Sequence, residues 1–548
     1  MLRCTLVSVL MLLLTLMGAT QGFAQQSVNI GTIPVYNVTD FGAVGDSVKL
    51  NTEAIQRAID QAEADGGGTV YFPSGDFLCG SIFLKSNITL YLANGCTIWG
   101  SNKIDDFIPV GEEHPQFDAR HERHFLYAEN AENIAIRGQG VIDGNGMSFY
   151  PEGWRDMSET VMREAMLNPE GYSSRPGHYI VLRNCRNVVL EDFTLRYSPT
   201  WMLSVSNCQN VRIRGISIIA GIYENDGPNT DGIAMSGRNI RVSGCEIITG
   251  DDCMVIAGSN ISITNCALTT SESALVLTAG NPNGNITISN CTIYDAGSCM
   301  TFRIHRGRTL DGVSVNNLTY KLDRQVGGNL VFARIHPIEH RSAVQSFMDK
   351  WGIKVEKRTG PPGILRNVTI SNVIAESDGS IFIDGLEDGW VENFTFDNIR
   401  YTMRGARENT QSANPPHPFN IFGHSRATYG IFARYVKGLT FRNVTFDWYT
   451  PEKAEWGSPL RAEHVKDLDI DGFVGRQSKG SDLPVIGLKN VQGAFIRNSQ
   501  ATQGAGTFLR VGDGSRDITV MGNDLSKAQK AVDGANAGEV HLGGNRMR

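Results

Sequence analysis

The chain has 548 residues and a formal net charge of −7, from 50 basic and 57 acidic residues. That balance offers nothing to nucleic acid or to a membrane surface, so any pull on an acidic substrate must come from a local patch. The length exceeds a usual single domain, a limit that a solenoid escapes because its core grows along one axis.

The chain opens on a leader. Arg3 precedes an apolar run over residues 6–17, and Gly22-Phe23-Ala24 follows. This pattern predicts a secretory signal peptide over residues 1–24, and hence export to the periplasm or the extracellular space. The run is too short for a confident membrane span, and no later segment approaches one. After Asp40-Phe41-Gly42-Ala43 a helix is expected. Asn51 is placed to cap its first turn, Glu53 suits the dipole there, and Ile55, Ala58, Ile59 and Ala62 form an apolar stripe at helical spacing. Gly66-Gly67-Gly68 ends it, and Thr69-Val70-Tyr71-Phe72 begins a strand. A solenoid leaves the core of its first coil open, so a capping helix is expected there.

The rest of the chain repeats. NVVLEDFTL at Asn187 is followed by NVRIRGISI at Asn210, NIRVSGCEI at Asn239, NISITNCAL at Asn260 and NITISNCTI at Asn285. These starts are separated by 23, 29, 21 and 25 residues. Apolar and polar residues alternate within each segment, which makes strands with one buried face. A period of this size points to a solenoid. β-branched residues dominate and helical spacing is nearly absent, so the expected fold is all-β, a parallel β-helix. Cys185, Cys208, Cys245, Cys266 and Cys291 are expected to share one place in successive repeats as small buried side chains, with disulfides the alternative in an exported chain and no C-x-x-C pair to suggest zinc. The Asn residues beside them are candidates for a side-chain amide ladder.

Three acids stand out against this background. Asp231 lies in Asn229-Thr230-Asp231-Gly232-Ile233, and Asp251 and Asp252 lie in Gly250-Asp251-Asp252-Cys253-Met254. Asp231 and Asp252 each precede an apolar triplet by two residues and are 21 residues apart. They should therefore stack on adjacent coils, roughly 4.8 Å apart, and hold one water between them. Asp251 is offset by one residue and is expected to point elsewhere along the groove, towards a glycosidic oxygen. Clustered carboxyls serve glycosidic cleavage, where one protonates the leaving oxygen and another activates water or attacks. Turn capping and calcium binding are the competing uses of such acids.

Together YNVTDFGAVGD, RPGHYIVLRNCRNVVLEDFTLRYSPTW, NTDGI, GDDC and Arg303-Ile304-His305 occur in an order that resembles family 28 of the glycoside hydrolases, the polygalacturonase family. The resemblance runs from about Tyr36 to Tyr320. It implies a right-handed parallel β-helix and metal-independent hydrolysis with inversion, using no cofactor. It also implies catalytic roles for Asp231, Asp251 and Asp252, with Asp251 as the acid. The family's Gly-His-Gly on the next coil is missing: 21 residues past Asp252 stands Ser273, in Ser271-Glu272-Ser273-Ala274. The family's Arg-Ile-Lys reads Arg303-Ile304-His305 here. Asn229, Glu272, Ser273, Arg303 and His305 are the candidate substrate-binding residues. The departures suggest a non-standard pectic substrate, rhamnose-containing or substituted, with Glu272 accepting its hydroxyls.

Arg303, His305, Arg306 and Arg308 form a cationic stretch, and Arg suits bidentate binding of a uronate carboxylate. Arg175 is expected to be a structural or rim residue. Stretches near 150–177, 321–362 and 403–429 interrupt the repeat, the middle one with a helix over 343–351. Loops of that length often wall or close a groove. Residues 25–548 are expected to form one catalytic domain acting as a monomer on an oligosaccharide or polysaccharide. A polysaccharide lyase and a non-catalytic carbohydrate-binding homologue are the alternatives.

Overall fold

The computed structural model describes residues 33–110, 123–150, 175–220, 230–280, 283–322, 328–336, 360–404, 429–452, 456–534 and 540–547. The leader, the bulk of the three interrupting stretches, the helix expected over 343–351 and Asn229 lie outside them. The strands join one continuous system in which each coil pairs with the next, a right-handed parallel β-helix.

Its stability comes from columns of apolar side chains. Val188, Val211, Ile240, Ile261, Ile286, Val313 and Val368 lie in one register line across successive coils. All are buried, and the line continues through Phe394, Leu439 and Leu468. Full burial of such side chains is worth roughly 1.5–3 kcal/mol each. Between them alternate residues such as Arg212 and Arg214 stay exposed, as period-two patterning requires.

The turns are held by asparagine. Asn133, Asn187, Asn210, Asn239, Asn260 and Asn285 each donate from Nδ2 to Oδ1 of the Asn one coil earlier, beginning at Asn87, at 2.8–3.2 Å. Their φ values of 54–63° are left-handed, a conformation Asn tolerates better than other side chains. This long ladder runs along the Asn that opens each repeat. Shorter ones run beside cysteines, Asn207 to Asn184 to Asn130 and Asn317 to Asn290.

The cysteines form two columns instead of the single one expected. Cys185 and Cys208 precede the ladder Asn by two residues and stack, with the Cys185 N–H 3.4 Å from Cys208 Sγ. Cys245, Cys266 and Cys291 follow it by six and align through the next strand of the coil. The repeat segment spans two strands with a turn between, so an Asn-Cys pair occurs at either of two turns. The nine cysteines among the described residues are free and buried.

The helix spans Thr52–Ala64, and its buried face is Ala54, Ile55, Ala58, Ile59 and Ala62. Asn51 does not cap it by side chain. Its amide instead bridges the preceding loop, accepting from Val44 N and donating to Val44 O and Lys49 O. Asn51 is buried, and those loop groups have a stronger claim on it than the helix end. The stretch 321–362 also contains a coil strand that the repeat pattern concealed, Asn329–Ile335.

Candidate active site

The acids sit at the turn that enters one strand of each coil. Leu203 pairs with Ile233, Ile233 with Met254, and Met254 with Leu275. Two residues earlier, the same line runs through Trp201, Asp231, Asp252 and Ser273. Backbone hydrogen bonds follow it, from Met202 N to Asp231 O at 2.8 Å, Gly232 N to Asp252 O at 2.9 Å and Cys253 N to Ser273 O at 3.0 Å. Gly232 is dictated by this packing, because a Cβ there would meet Cys253 O at 2.6 Å and Ile247 Cγ2 at 2.8 Å.

One carboxylate oxygen from each of Asp231, Asp251 and Asp252 lies within 4.8 Å of the others. The shared register of Asp231 and Asp252 is as expected. Asp251 differs from expectation, because it converges on the same spot. Its turn explains this. Asp251 Oδ1 accepts the Asp252 N–H at 2.9 Å, and its carbonyl accepts the Thr249 hydroxyl at 2.6 Å and the Thr270 hydroxyl. The Ser271 hydroxyl reaches Gly250 O. Hydroxyls from two coils therefore pin the Gly250-Asp251-Asp252 turn.

Asp231 and Asp252 are each 4% exposed, while Asp251 is half-buried. Burial pushes the Asp252 pKa up to about 7, aided by Asp251 and Glu272 and opposed by Arg303 and the Ser273 N–H. The Ser273 N–H donates to Asp252 Oδ1 at 3.1 Å, and Arg303 Nη1 lies 3.4 Å from Asp252 Oδ2. Arg303 comes from the strand Ser298–Ile304, two coils beyond Asp252.

The other candidates separate. Ser273 is buried, with its hydroxyl 2.9 Å from that of Thr301 and its backbone on Asp252. Glu272 is half-buried beside it, near enough to raise the Asp252 pKa. The His305 ring stacks on His336, with centroids 4.7 Å apart. The cationic stretch is not one patch. Arg306 is buried against Gly360 O and Asp388, and Arg308 is exposed. A strand alternates its side chains, and Arg306 and Arg308 lie beyond its end at Ile304. Arg175 is structural, on Pro199 O at 2.7 Å and the Tyr150 hydroxyl at 3.2 Å. Thr301 and Trp201 were not singled out from the sequence. The signal for Trp201 was its offset of two from Leu203, the same offset that Asp231 has from Ile233.

Residues 68–325 match glycosyl hydrolases family 28, and residues 35–96 match the rhamnogalacturonase A/epimerase, pectate lyase-like family. A probable polygalacturonase of Vitis vinifera is 31% identical over 231 residues, 40% of this chain and 43% of that protein. An exo-poly-alpha-D-galacturonosidase of Dickeya chrysanthemi is 28% identical over 252 residues, 40% of this chain and 41% of its own length. The chain thus spans less than half the length of these curated relatives. The solved structure of a hyperthermoactive exopolygalacturonase from Thermotoga maritima superposes with a TM-score of 0.54 at 21% identity. It covers 76% of this chain and 93% of that one, and it shows the shared fold. All three acids and Arg303 fall inside the family match, and the stretch 68–325 that carries them is of the glycosyl hydrolase family 28 type.

Proposed function

We propose that this protein is a glycoside hydrolase that cleaves galacturonate-containing oligosaccharide or polysaccharide with inversion at the anomeric carbon. The convergence of Asp231, Asp251 and Asp252 within 4.8 Å, beside Arg303, carries the proposal. Asp231 and Asp252, in register on adjacent coils, hold the attacking water, and Asp252 takes its proton. Asp251, the least buried of the three, delivers a proton to the leaving oxygen. Arg303 receives a substrate carboxylate. The relatives named polygalacturonase support the substrate class. Export, action as a monomer without a cofactor, and a single catalytic domain over 25–548 complete the proposal. Among the described residues no helix is long and apolar enough to cross a membrane.

Paired carboxyls of inverting enzymes usually stand roughly 6.5–9.5 Å apart, and those of retaining enzymes roughly 5–5.5 Å. The 4.8 Å limit here is a nearest-oxygen distance among three acids. Two of them flank one water from the same side, so a short spacing does not require direct attack. The anomeric configuration of the first product, followed by NMR during digestion of oligogalacturonides, tests this. Inverted product is expected, and retained configuration would make one aspartate a nucleophile. Three close carboxylates also suit a divalent cation of the kind a lyase uses, but the fixed positive charge of Arg303 opposes one there. An unsaturated, ultraviolet-absorbing product would establish the lyase, and binding without any product a carbohydrate-binding homologue. Competition between plain oligogalacturonides and branched pectic fragments tests the role of Glu272, with preference for the branched fragments expected.

A further inference from the structure

The register line of Asp231 and Asp252 continues towards the N-terminal coils. Trp201 occupies on its coil the place that Asp231 occupies on the next. His178 holds that place one coil earlier, two residues before Ile180, which pairs with Leu203. The two rings stack with centroids 4.3 Å apart and 14° between their planes. His178 comes from the preceding coil, so it covers one face of the indole. The opposite face is turned along the axis towards the coil of Asp231, one spacing of roughly 4.8 Å away.

Three further features fit a binding surface. Both residues are only partly buried, although their neighbours Tyr179 and Met202 are fully buried. Trp201 Nε1 is a buried donor that finds no acceptor among the described residues, which is costly for a packing residue. Burial pushes the His178 pKa down to about 3, with His124 and Arg183 adding to the effect. The imidazole is therefore neutral at ordinary pH and supports the indole as apolar surface without repelling or attracting charge.

We propose that Trp201, backed by His178, is a stacking platform for a pyranose ring next to the scissile bond, on the side of the acids opposite Arg303. The apolar C–H face of the sugar lies on the exposed part of the indole. The groove would then grip its chain by two unlike means, a guanidinium on the C-terminal side and an uncharged aromatic face on the N-terminal side. The proposal rests on the reading of the three acids as the hydrolytic site, but its test does not require turnover.

The experiment is a fluorescence titration of the full chain carrying Asp252→Asn, with tetragalacturonate and with its methyl-esterified form. The Trp201 contribution is taken as the difference from the same protein carrying Trp201→Phe. A saturable Trp201 signal with both sugars is expected. Trp201→Ala should weaken binding about tenfold for both forms alike, and Trp201→Phe should restore most of it. Equal loss on both forms separates stacking from carboxylate binding, which esterification abolishes. No Trp201 signal with either sugar, or unchanged binding in Trp201→Ala, overturns the platform even if the wild type hydrolyses both. A normal Trp201 signal in a protein that never cleaves either sugar supports the platform and overturns the hydrolytic reading instead.

Discussion

Arg303 Nη1 lies 3.4 Å from Asp252 Oδ2, reaching back across two coils. The contact favours the ionised carboxylate and works against the burial that pushes its pKa up. On the proposed mechanism Arg303 serves two partners, Asp252 before substrate arrives and a uronate carboxylate afterwards. Arg303→Ala should weaken free-acid oligogalacturonides far more than their methyl esters, by about tenfold to a hundredfold in kcat/KM. It should also move the acid limb of the pH profile upwards, because a group that lowers the Asp252 pKa is gone. Equal loss on acid and ester, with the limb unmoved, would leave Arg303 a packing role only.

The pH dependence of the wild type follows from the same carboxyl. As the proposed base Asp252 must be ionised to accept a proton from water, and burial pushes its pKa up to about 7. The acid limb of the kcat/KM profile should therefore climb with pH and have its midpoint near 7. A profile that falls through this region would exchange the roles, making Asp252 the proton donor.

Asp252→Asn should lose activity by at least about a hundredfold, since an amide takes no proton. Its stability should move in the other direction at high pH. A buried Asp with a raised pKa contributes its full share of stability below the unfolded value near 4 and loses it as pH rises through about 7. The variant should thus match the wild type in acid and exceed it in mild alkali, by at most roughly 4 kcal/mol. Thermal midpoints measured at the two extremes check this. A variant that is equally destabilised at both would show that the carboxylate is needed for folding.

Metal independence is a separate matter. Three carboxylates within 4.8 Å are a conceivable cation site, yet Arg303 occupies their vicinity. Activity on oligogalacturonides should survive dialysis against EDTA unchanged. Loss on chelation, restored by calcium, would move the assignment to a lyase.

The parts of this molecule that repeat were legible in the sequence. Period-two alternation marked the strands, and the shared offset of Asp231 and Asp252 from their apolar triplets put them on adjacent coils. Contacts between unequal coils were not legible. The 25 residues from Ser273 to Ser298 hid the fact that Arg303 reaches Asp252, and linear order made Arg306 look like part of the same patch. The offset of Asp251 by one residue reads as a change of direction, whereas the turn curls back through the hydrogen bond that Asp251 Oδ1 accepts from Asp252 N. The repeated Asn suggested a ladder, but only the structure shows which of two turns carries the long one.

That ladder yields the last prediction. Asn210 donates to Asn187 and accepts from Asn239, at 3.1 Å in both cases, with φ of 58°. Asn210→Ala removes two amide hydrogen bonds and forces a Cβ without local compensation into the left-handed region, which costs roughly 1–2 kcal/mol by itself. Asn210→Gly removes the same hydrogen bonds but keeps the conformation at little steric cost. The Ala variant should therefore be less stable than the Gly variant, and both less stable than the wild type. A chain of stacked coils of this length need not unfold in one step, so the comparison is of thermal midpoints at one fixed scan rate. If Ala and Gly lower the midpoint equally, backbone conformation is irrelevant at this turn and the amide bonds alone hold it. If neither lowers it, the ladder is a consequence of coil stacking and contributes nothing to it.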